Sequence, residues 1–438
     1  LKYNIFVIQL FFLKKEYDFI FCGYGLSSSV ILFKMSKIDS YLNKKILIIE
    51  SRKKDINKTW CFWDVNDSKW NSFLAKKWSN IKFKNSHLNL DFKLENMTYN
   101  MIKSHDFFKT IKKTIKSKMN VEILNEEVLS IDSQSEKVKI KTTNNSFLGK
   151  KVFNSIPNFS PYNKDSKLKM LLQHFKGWTI KTKNKCFNDK MATIMDFSID
   201  QKNETRFFYV LPVSTNEALV EFTLFSKKEL NDSEYEQEIL KYLDEKGISD
   251  YKVISDEKGI IPMTCFDYRK YNTKNLINIG TSGGWTKPST GYTFKFIDKK
   301  SSKLLSFMQT NNDFRKFEKK TRFWYYDRIF LDVLYYHNHL GSYLFQRLFV
   351  KNKIERIFKF LDNESSLLDD MKITLSFPKI LFTKTFFKTL FKYYLHSLET
   401  MPKEFLLSKK VKRDLLDGFI NHEIPFIYKR SLCDEPPE

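Results

Sequence analysis

Four of the chain's 12 glycines fall within one short stretch, Ile279-Gly280-Thr281-Ser282-Gly283-Gly284-Trp285-Thr286-Lys287-Pro288-Ser289-Thr290-Gly291-Tyr292-Thr293-Phe294. Glycine is needed where the backbone takes a positive φ or lies close to a ligand. In so glycine-poor a chain, this loop implies that something sits against its backbone. A second pair, Gly23 and Gly25, lies far upstream in Tyr17-Asp18-Phe19-Ile20-Phe21-Cys22-Gly23-Tyr24-Gly25-Leu26-Ser27-Ser28-Ser29. The chain must therefore fold so that two distant loops hold one extended ligand from both ends.

The upstream loop has the surroundings of a dinucleotide site. Residues 18–22 are a short apolar run entering the glycines. An apolar, helix-capable segment follows (Val30, Ile31, Leu32, Met35), and then Lys45-Ile46-Leu47-Ile48-Ile49-Glu50. This order predicts a strand–turn–helix–strand unit closed by an acid. Gly23 and Gly25 let the turn approach a pyrophosphate, the helix start offers free N–H groups, and Glu50 accepts from ribose hydroxyls. Ser28 stands where a third glycine is expected, which predicts slightly looser helix–strand packing. A flavin dinucleotide is the ligand that suits two such loops.

Beyond Glu50 comes Lys58-Thr59-Trp60-Cys61-Phe62-Trp63-Asp64, a run of rare residues. In order, it is followed by Val152-Phe153-Asn154-Ser155, Leu172-Gln173-His174-Phe175-Lys176-Gly177-Trp178, Met195-Asp196-Phe197 and Phe208-Tyr209-Val210-Leu211-Pro212. Leu219-Val220-Glu221-Phe222-Thr223, Gly259-Ile260-Ile261-Pro262-Met263 and the Gly/Ser/Thr loop complete the series. This series resembles the carotenoid lycopene cyclases of the bacterial β-cyclase type, strongly over about 17–300 and more weakly to about 400. The chain departs from that family at four places. Tyr24 replaces a small residue between the first glycines, and Ser28 replaces the third glycine. Lys58 stands for an arginine, and Phe222 takes the place of a second acid after Glu221.

The resemblance implies an α/β fold with a Rossmann-like FAD-binding domain of the hydroxylase and geranylgeranyl-reductase type. An inserted substrate-side β-sheet and a helical C-terminal region complete that fold. It implies reduced FAD as cofactor, NAD(P)H as an indirect reductant, and lycopene or a related acyclic carotenoid as substrate. The ψ end groups would become β-ionone rings, through γ-carotene to β-carotene, with no net redox change. Such chemistry needs a positioned acid, a dry pocket that tolerates a cation, and a base for the last proton. Glu221 is the implied acid/base residue, in an apolar strand-like run where desolvation would raise its pKa. Strand alternation by itself equally allows a solvent-facing Glu221. Gly280, Gly283, Gly284, Lys287, Ser289 and Thr290 are the implied flavin-side residues, with Lys287 against an anionic reduced flavin. Trp60, Phe62, Asp196 and Tyr209 are the expected pocket residues.

The expected organisation is a leader at 1–16, read as a translation-start artefact, and an FAD-binding domain from 17–80 and 255–300. A mixed segment at 81–254 carries the substrate-side sheet, 301–430 is mainly helical, and 431–438 is a tail. The net charge of +24 favours polyanions. No Lys/Arg block or recognition motif accompanies it, so a membrane surface is expected and nucleic acid is not. Lys384, Lys388 and Lys392, spaced along one face of a helix at 379–398 with Phe386, Phe387 and Phe391 elsewhere on it, suit an interfacial helix. The five cysteines lack a CxxC pair, and His337-Asn338-His339 has no Cys or carboxylate in ligand spacing. A disulfide framework and a metal site are therefore not expected. The apolar run from Ile5 to Leu13 is too short to span a bilayer and lacks a signal-peptide cleavage site. A cytoplasmic protein on the inner face of a membrane fits these features. Two other readings share them: a flavin oxidoreductase (polyprenyl reductase or hydroxylase), and a non-catalytic, membrane-associated carotenoid-binding protein.

Overall fold

The predicted strand–turn–helix–strand unit forms as β1 (Lys15–Cys22), α1 (Leu26–Met35) and β2 (Ile46–Ile49). The computed structural model describes residues 15–52, 57–157 and 169–399, with side chains described as far as 389. Most of the leader, Cys433 and the acidic tail lie outside the described residues. All four residues of β2 are buried, as a parallel strand covered on both faces requires. Val30, Ile31 and Leu32 of α1 are fully buried, and each contributes about 1.5–3 kcal/mol.

After β2 come β3 (Thr59–Val65), β4 (Lys76–Trp78), β5 (Asn80–Lys84), β6 (Asn89–Lys93), β7 (Met97–Lys103) and α2 (Ser104–Lys118). They are followed by β8 (Val121–Leu124), β9 (Val128–Asp132), β10 (Val138–Thr142) and β11 (Ser146–Asn154). Next are β12 (Leu171–Thr182), β13 (Met191–Asp196), β14 (Thr205–Ser214), β15 (Glu217–Ser226), α3 (Asp232–Glu245), β16 (Tyr251–Met263) and β17 (Leu276–Asn278). The remainder is helical: α4 (Phe294–Thr310), α5 (Arg322–Tyr336), α6 (Gly341–Lys351), α7 (Ile354–Leu361), α8 (Leu367–Ser376) and α9 (Lys379–Glu399).

The first sheet runs β8-β2-β1-β11-β10-β9, with β17 also pairing with β11. Its β8, β2, β1, β11 and β17 neighbours are parallel, and β9 and β10 are antiparallel. One face packs on α1, α2 and α4 through Phe21, Val30, Ile31, Phe107, Ile111 and Leu304. The second sheet runs β16-β12-β15-β14-β13-β5-β6, and β3-β7-β4 form a third. One face of the second sheet is covered by α3 through Phe208, Val220, Phe222, Leu224, Tyr235 and Ile239.

The sheets divide the sequence differently from the expected organisation. Strands β8 to β11, inside the 81–254 segment, belong to the nucleotide-type sheet. Strand β16, which runs into the 255–300 segment, belongs to the second sheet, and β3 and β4 leave the first sheet altogether. Strand periodicity reports which face is buried but not which sheet a strand joins, so these memberships were not in the pattern.

The chain divides into two units at Pro378/Lys379. In the second unit, α9 is the described element, and Lys384, Lys388, Phe386 and Phe387 on it are exposed. The side chains of Phe391, Lys392, Tyr394 and Leu398 lie outside the described residues.

Candidate active site

At the end of β1, Gly23 has φ +92°, and a Cβ there would lie 2.4 Å from Ser155 Oγ. Its N–H donates to the Ile49 carbonyl (2.7 Å), which ties the turn to the end of β2. Gly25 caps α1, so the first helical N–H groups are left without intrahelical acceptors. Ser28 is fully buried, and its hydroxyl donates to the Gly23 carbonyl (2.7 Å). The serine in the third glycine's place is thus accommodated by bonding back to the turn. Glu50 accepts the Tyr24 N–H (2.8 Å) and three donors of Arg52, at 2.9, 2.8 and 2.5 Å. Burial opposes its ionisation, yet those hydrogen bonds hold its carboxyl below the usual glutamate range. Arg52 was missed in the sequence, where it reads as an ordinary loop charge.

The second glycine loop reaches this turn. Gly280 has φ +62°, and a Cβ there would lie 2.7 Å from Ser27 Oγ in the first turn of α1. Gly280 and Gly283 form a tight 3₁₀ turn, with Gly284 at its end. Buried hydroxyls of Ser29, Ser282 and Thr290 and the Gln173 side-chain oxygen have no hydrogen-bond partner among the described residues. Two glycine cradles in contact, an open helix N-terminus and polar atoms awaiting partners fit a dinucleotide lying from Gly23 to Thr290.

Where the second sheet faces this loop, strand alternation sorts β15 cleanly. Val220, Phe222 and Leu224 face α3, whereas Leu219, Glu221, Thr223 and Phe225 line a cavity of about 120 Å³. Trp60, Cys61, Gln173, Tyr209, Thr290 and Tyr292 are among the other residues of its wall. Glu221 is half-buried, and the space it opens to is this cavity. Gly177 of β12 pairs with Glu221 on one side and with Glu257 of β16 on the other. Tyr209 of β14 pairs with Glu221 on its far side. Glu257, Glu221 and Tyr209 therefore form one row across the sheet, with a glycine where a side chain would separate the two acids.

The two carboxyls are hydrogen-bonded to each other, and Thr223 Oγ1 donates to Glu221 Oε1 (2.7 Å). Burial, and next the charge of Glu257, push the Glu221 pKa well above the usual glutamate value. Burial also raises that of Glu257, against hydrogen bonds from the Thr59 hydroxyl and N–H and the nearby Lys58 ammonium. Tyr209 is in hydrogen-bond contact with Tyr99 and Tyr292, and burial drives its pKa well above the usual phenol value. Glu257 and Tyr292 were missed in the sequence. The signal for Glu257 was an acid in a strand two residues before Gly259, which only the register with Gly177 makes meaningful.

Other expected residues lie elsewhere, each for a local reason. Phe62 is not among the residues of the cavity wall; it is buried and stacks on Phe294, ring centres 4.4 Å apart. Asp196 is likewise turned from the cavity, which its neighbour Met195 lines. It accepts from Tyr242 of α3 (2.9 Å) and the Ser198 N–H (2.9 Å) and lies 3.6 Å from Lys246. Lys287 is fully buried in an ion pair with Asp327 of α5 (2.9 Å) and donates to Asn363 Oδ1 (2.7 Å). Ser289 donates to the same Asp327 (2.6 Å). Lys287 and Ser289 therefore anchor the second loop to the helical region, and the ammonium charge is already neutralised. Among the described residues, no group of three or more His, Cys, Asp or Glu side chains comes together as a metal would require.

Among solved structures, the fold is similar to a flavoprotein/dehydrogenase from Cytophaga hutchinsonii, with a TM-score of 0.55 and 13% identity over 84% of this chain and 99% of that one. It is also similar to a geranylgeranyl bacteriochlorophyll reductase-like protein from Thermoplasma acidophilum, with a TM-score of 0.50 and 13% identity over 88% and 98%. At such identities the likeness concerns the fold, which is the Rossmann-like flavoprotein type with a second sheet and C-terminal helices. A lycopene beta-cyclase from Pantoea ananas is 31% identical over 103 residues, or 23% of this chain and 27% of that protein. The match thus spans about a quarter of that relative's length. The model of the family described as lycopene cyclase protein matches residues 18–386, a stretch that contains both glycine loops and the Glu221 cavity. The chain belongs to the lycopene cyclase family.

Proposed function

We propose that this protein is an FAD-dependent cyclase that converts the ψ end groups of lycopene, or of a related acyclic carotenoid, into β-ionone rings without net redox change. The observation that carries the proposal is Glu221, whose carboxyl pKa is pushed well above the usual glutamate value by burial and the neighbouring Glu257 charge, on the wall of a cavity that Trp60, Tyr209 and Phe294 also line. Protonating an unactivated alkene needs such an acid, and a cation survives only where water is excluded.

The Gly23–Ser28 turn, Glu50 and the Gly280–Gly284 turn would hold the pyrophosphate and ribose of FAD. Thr290 and Gln173 would meet the part nearest the cavity. Reduced FAD, when bound, supplies negative charge beside a developing cation, and NAD(P)H serves as its indirect reductant. Glu221 gives its proton to the less substituted carbon of the terminal double bond, which leaves a tertiary cation. The neighbouring double bond closes the ring on that cation, and loss of a ring proton gives the β double bond. The aromatic faces of Trp60 and Phe294 favour the cationic stages.

A substrate that resides in lipid calls for access to a membrane surface. Support comes from the net charge of +24 and from α9, on which exposed Lys384 and Lys388 accompany exposed Phe386 and Phe387. No helix among the described residues is long and apolar enough to cross a membrane. We place the protein on the cytoplasmic face, held peripherally. Expression in a lycopene-accumulating bacterial host, with pigment analysis by chromatography and mass detection, tests the proposal. A cyclic product of unchanged mass supports it, and a reduced or hydroxylated product overturns it.

A further inference from the structure

The proposed reaction needs a base for the ring proton, and Phe222 stands where the family's second acid is expected. Phe222 is fully buried on the α3 face of β15 and packs on Phe208 and Tyr235. An acid at that position would face away from the cavity. The second carboxyl of the cavity comes instead from another strand.

We propose that Glu257 is the catalytic partner of Glu221: it accepts the ring proton and returns it to Glu221 through the hydrogen bond between them. This inference rests on the cyclase reading. Its warrant is geometric. Glu257 and Glu221 flank Gly177 in register on β16, β12 and β15, and both line the same cavity. A Cβ on Gly177 would come within 3.0 Å of the Glu221 Cβ, so the missing side chain is what lets the acids meet. Glu257 accepts from the Thr59 hydroxyl and N–H and has Lys58 nearby, all of which favour its charged form. Glu221 has the Thr223 hydroxyl and opens onto the cavity. Two acids that cannot both ionise share one proton, and their surroundings decide which holds it. Here Glu221 holds it and Glu257 is the carboxylate. The other groups facing the pair are Cys61 from β3 and Tyr209 from β14, with Tyr292 of the second loop against Tyr209.

The cycle balances without water or a redox partner. The Glu221 O–H breaks as a C–H forms at the less substituted carbon of the terminal double bond. After ring closure, a ring C–H breaks, its electron pair becomes the ring double bond, and its proton goes to the Glu257 carboxylate. Transfer of that proton to Glu221 restores the starting state. Thr59 thereby gains a purpose: it holds the base.

The test uses the full-length, flavin-loaded protein with Glu257→Gln, Glu257→Asp and Glu257→Gln/Phe222→Glu. Infrared spectroscopy follows the neutral-carboxyl band against pH, and lycopene turnover is measured alongside. The expected result for Glu257→Gln is a rate loss of about 10²-fold or more, with flavin content unchanged. The neutral-carboxyl band should then titrate at lower pH, because the neighbouring charge is gone. Glu257→Asp retains partial activity, and Phe222→Glu restores none. Turnover of Glu257→Gln within about threefold of wild type, or a carboxyl midpoint that does not move, overturns the assignment. If wild type itself yields no cyclic product, the cyclase reading fails and the ring-proton step with it, even where the titration still shows two acids sharing a proton.

Discussion

Glu221 on β15 and Glu257 on β16 face one another across Gly177, the one residue of the intervening strand that puts no side chain between them. Two carboxyls in contact inside a cavity oppose each other's ionisation, which favours a state with one proton between them. That arrangement supplies an acid and a base at once, and most of the expected behaviour follows from it.

Replacing Glu221 by Gln keeps its shape and removes the transferable proton. Turnover should fall by about 10²–10⁴-fold, while flavin binding, which depends on the Gly23 and Gly280 turns, is retained. Pigment yield and the flavin absorbance of the purified variant report the two separately.

The raised pKa of Glu221 also sets a slope of stability against pH. The folded protein keeps this proton above the ordinary glutamate pKa of about 4.3, where the unfolded chain has lost it. Proton release therefore favours unfolding, and stability falls as pH rises from that value through the raised one. Glu221→Gln should flatten the slope and be more stable than wild type at neutral pH. Denaturant titrations at a series of pH values measure it, and a steeper slope in the variant would contradict the raised pKa.

Gly177→Ala would push its methyl against the Glu221 Cβ and Leu219 Cδ1, both 3.0 Å away. Displacement of a proton donor by a few tenths of an ångström should lower turnover by about tenfold or more. Overpacking should cost no more than about 1–3 kcal/mol. Kinetics and thermal unfolding of the same preparation separate the two effects.

The Lys287–Asp327 pair has both side chains almost fully buried. Lys287→Met leaves the buried Asp327 charge without its ion-pair partner, bonded still to the Ser289 hydroxyl, and should destabilise the protein by about 3–5 kcal/mol. Adding Asp327→Leu should recover much of that loss, as chemical denaturation would show. A Lys287→Met variant of unchanged stability but altered flavin potential would return Lys287 to the flavin.

Gly280→Ala forces an alanine into φ +62° and its methyl to 2.7 Å from Ser27 Oγ. The two glycine loops should separate, and the protein should purify with little or no flavin.

How far the sequence could be read depended on whether a signal was local. The Gly23–Glu50 unit was legible because strand, turn, helix and acid follow one another along the chain. Glu221 was legible as a residue, but alternation left its facing open until α3 covered the even-numbered positions of β15. Glu257 was not legible, because its meaning lies in a register with two other strands. Lys287 and Ser289 were misplaced for a similar reason. Nothing near residue 287 indicates that Asp327, on a later helix, neutralises the lysine and binds the serine. Phe62 and Asp196 were assigned from motif membership, which does not say which way a side chain faces.

The most direct test of the account is the pigment made in a lycopene-accumulating bacterial host by wild type and Glu221→Gln side by side. Chromatography with mass detection should show wild type converting lycopene to a β-ring product of unchanged mass, and the variant leaving lycopene intact with its flavin bound. A wild-type product whose mass differs from lycopene, or equal conversion by the variant, would contradict a proton-initiated, non-redox cyclisation begun by Glu221.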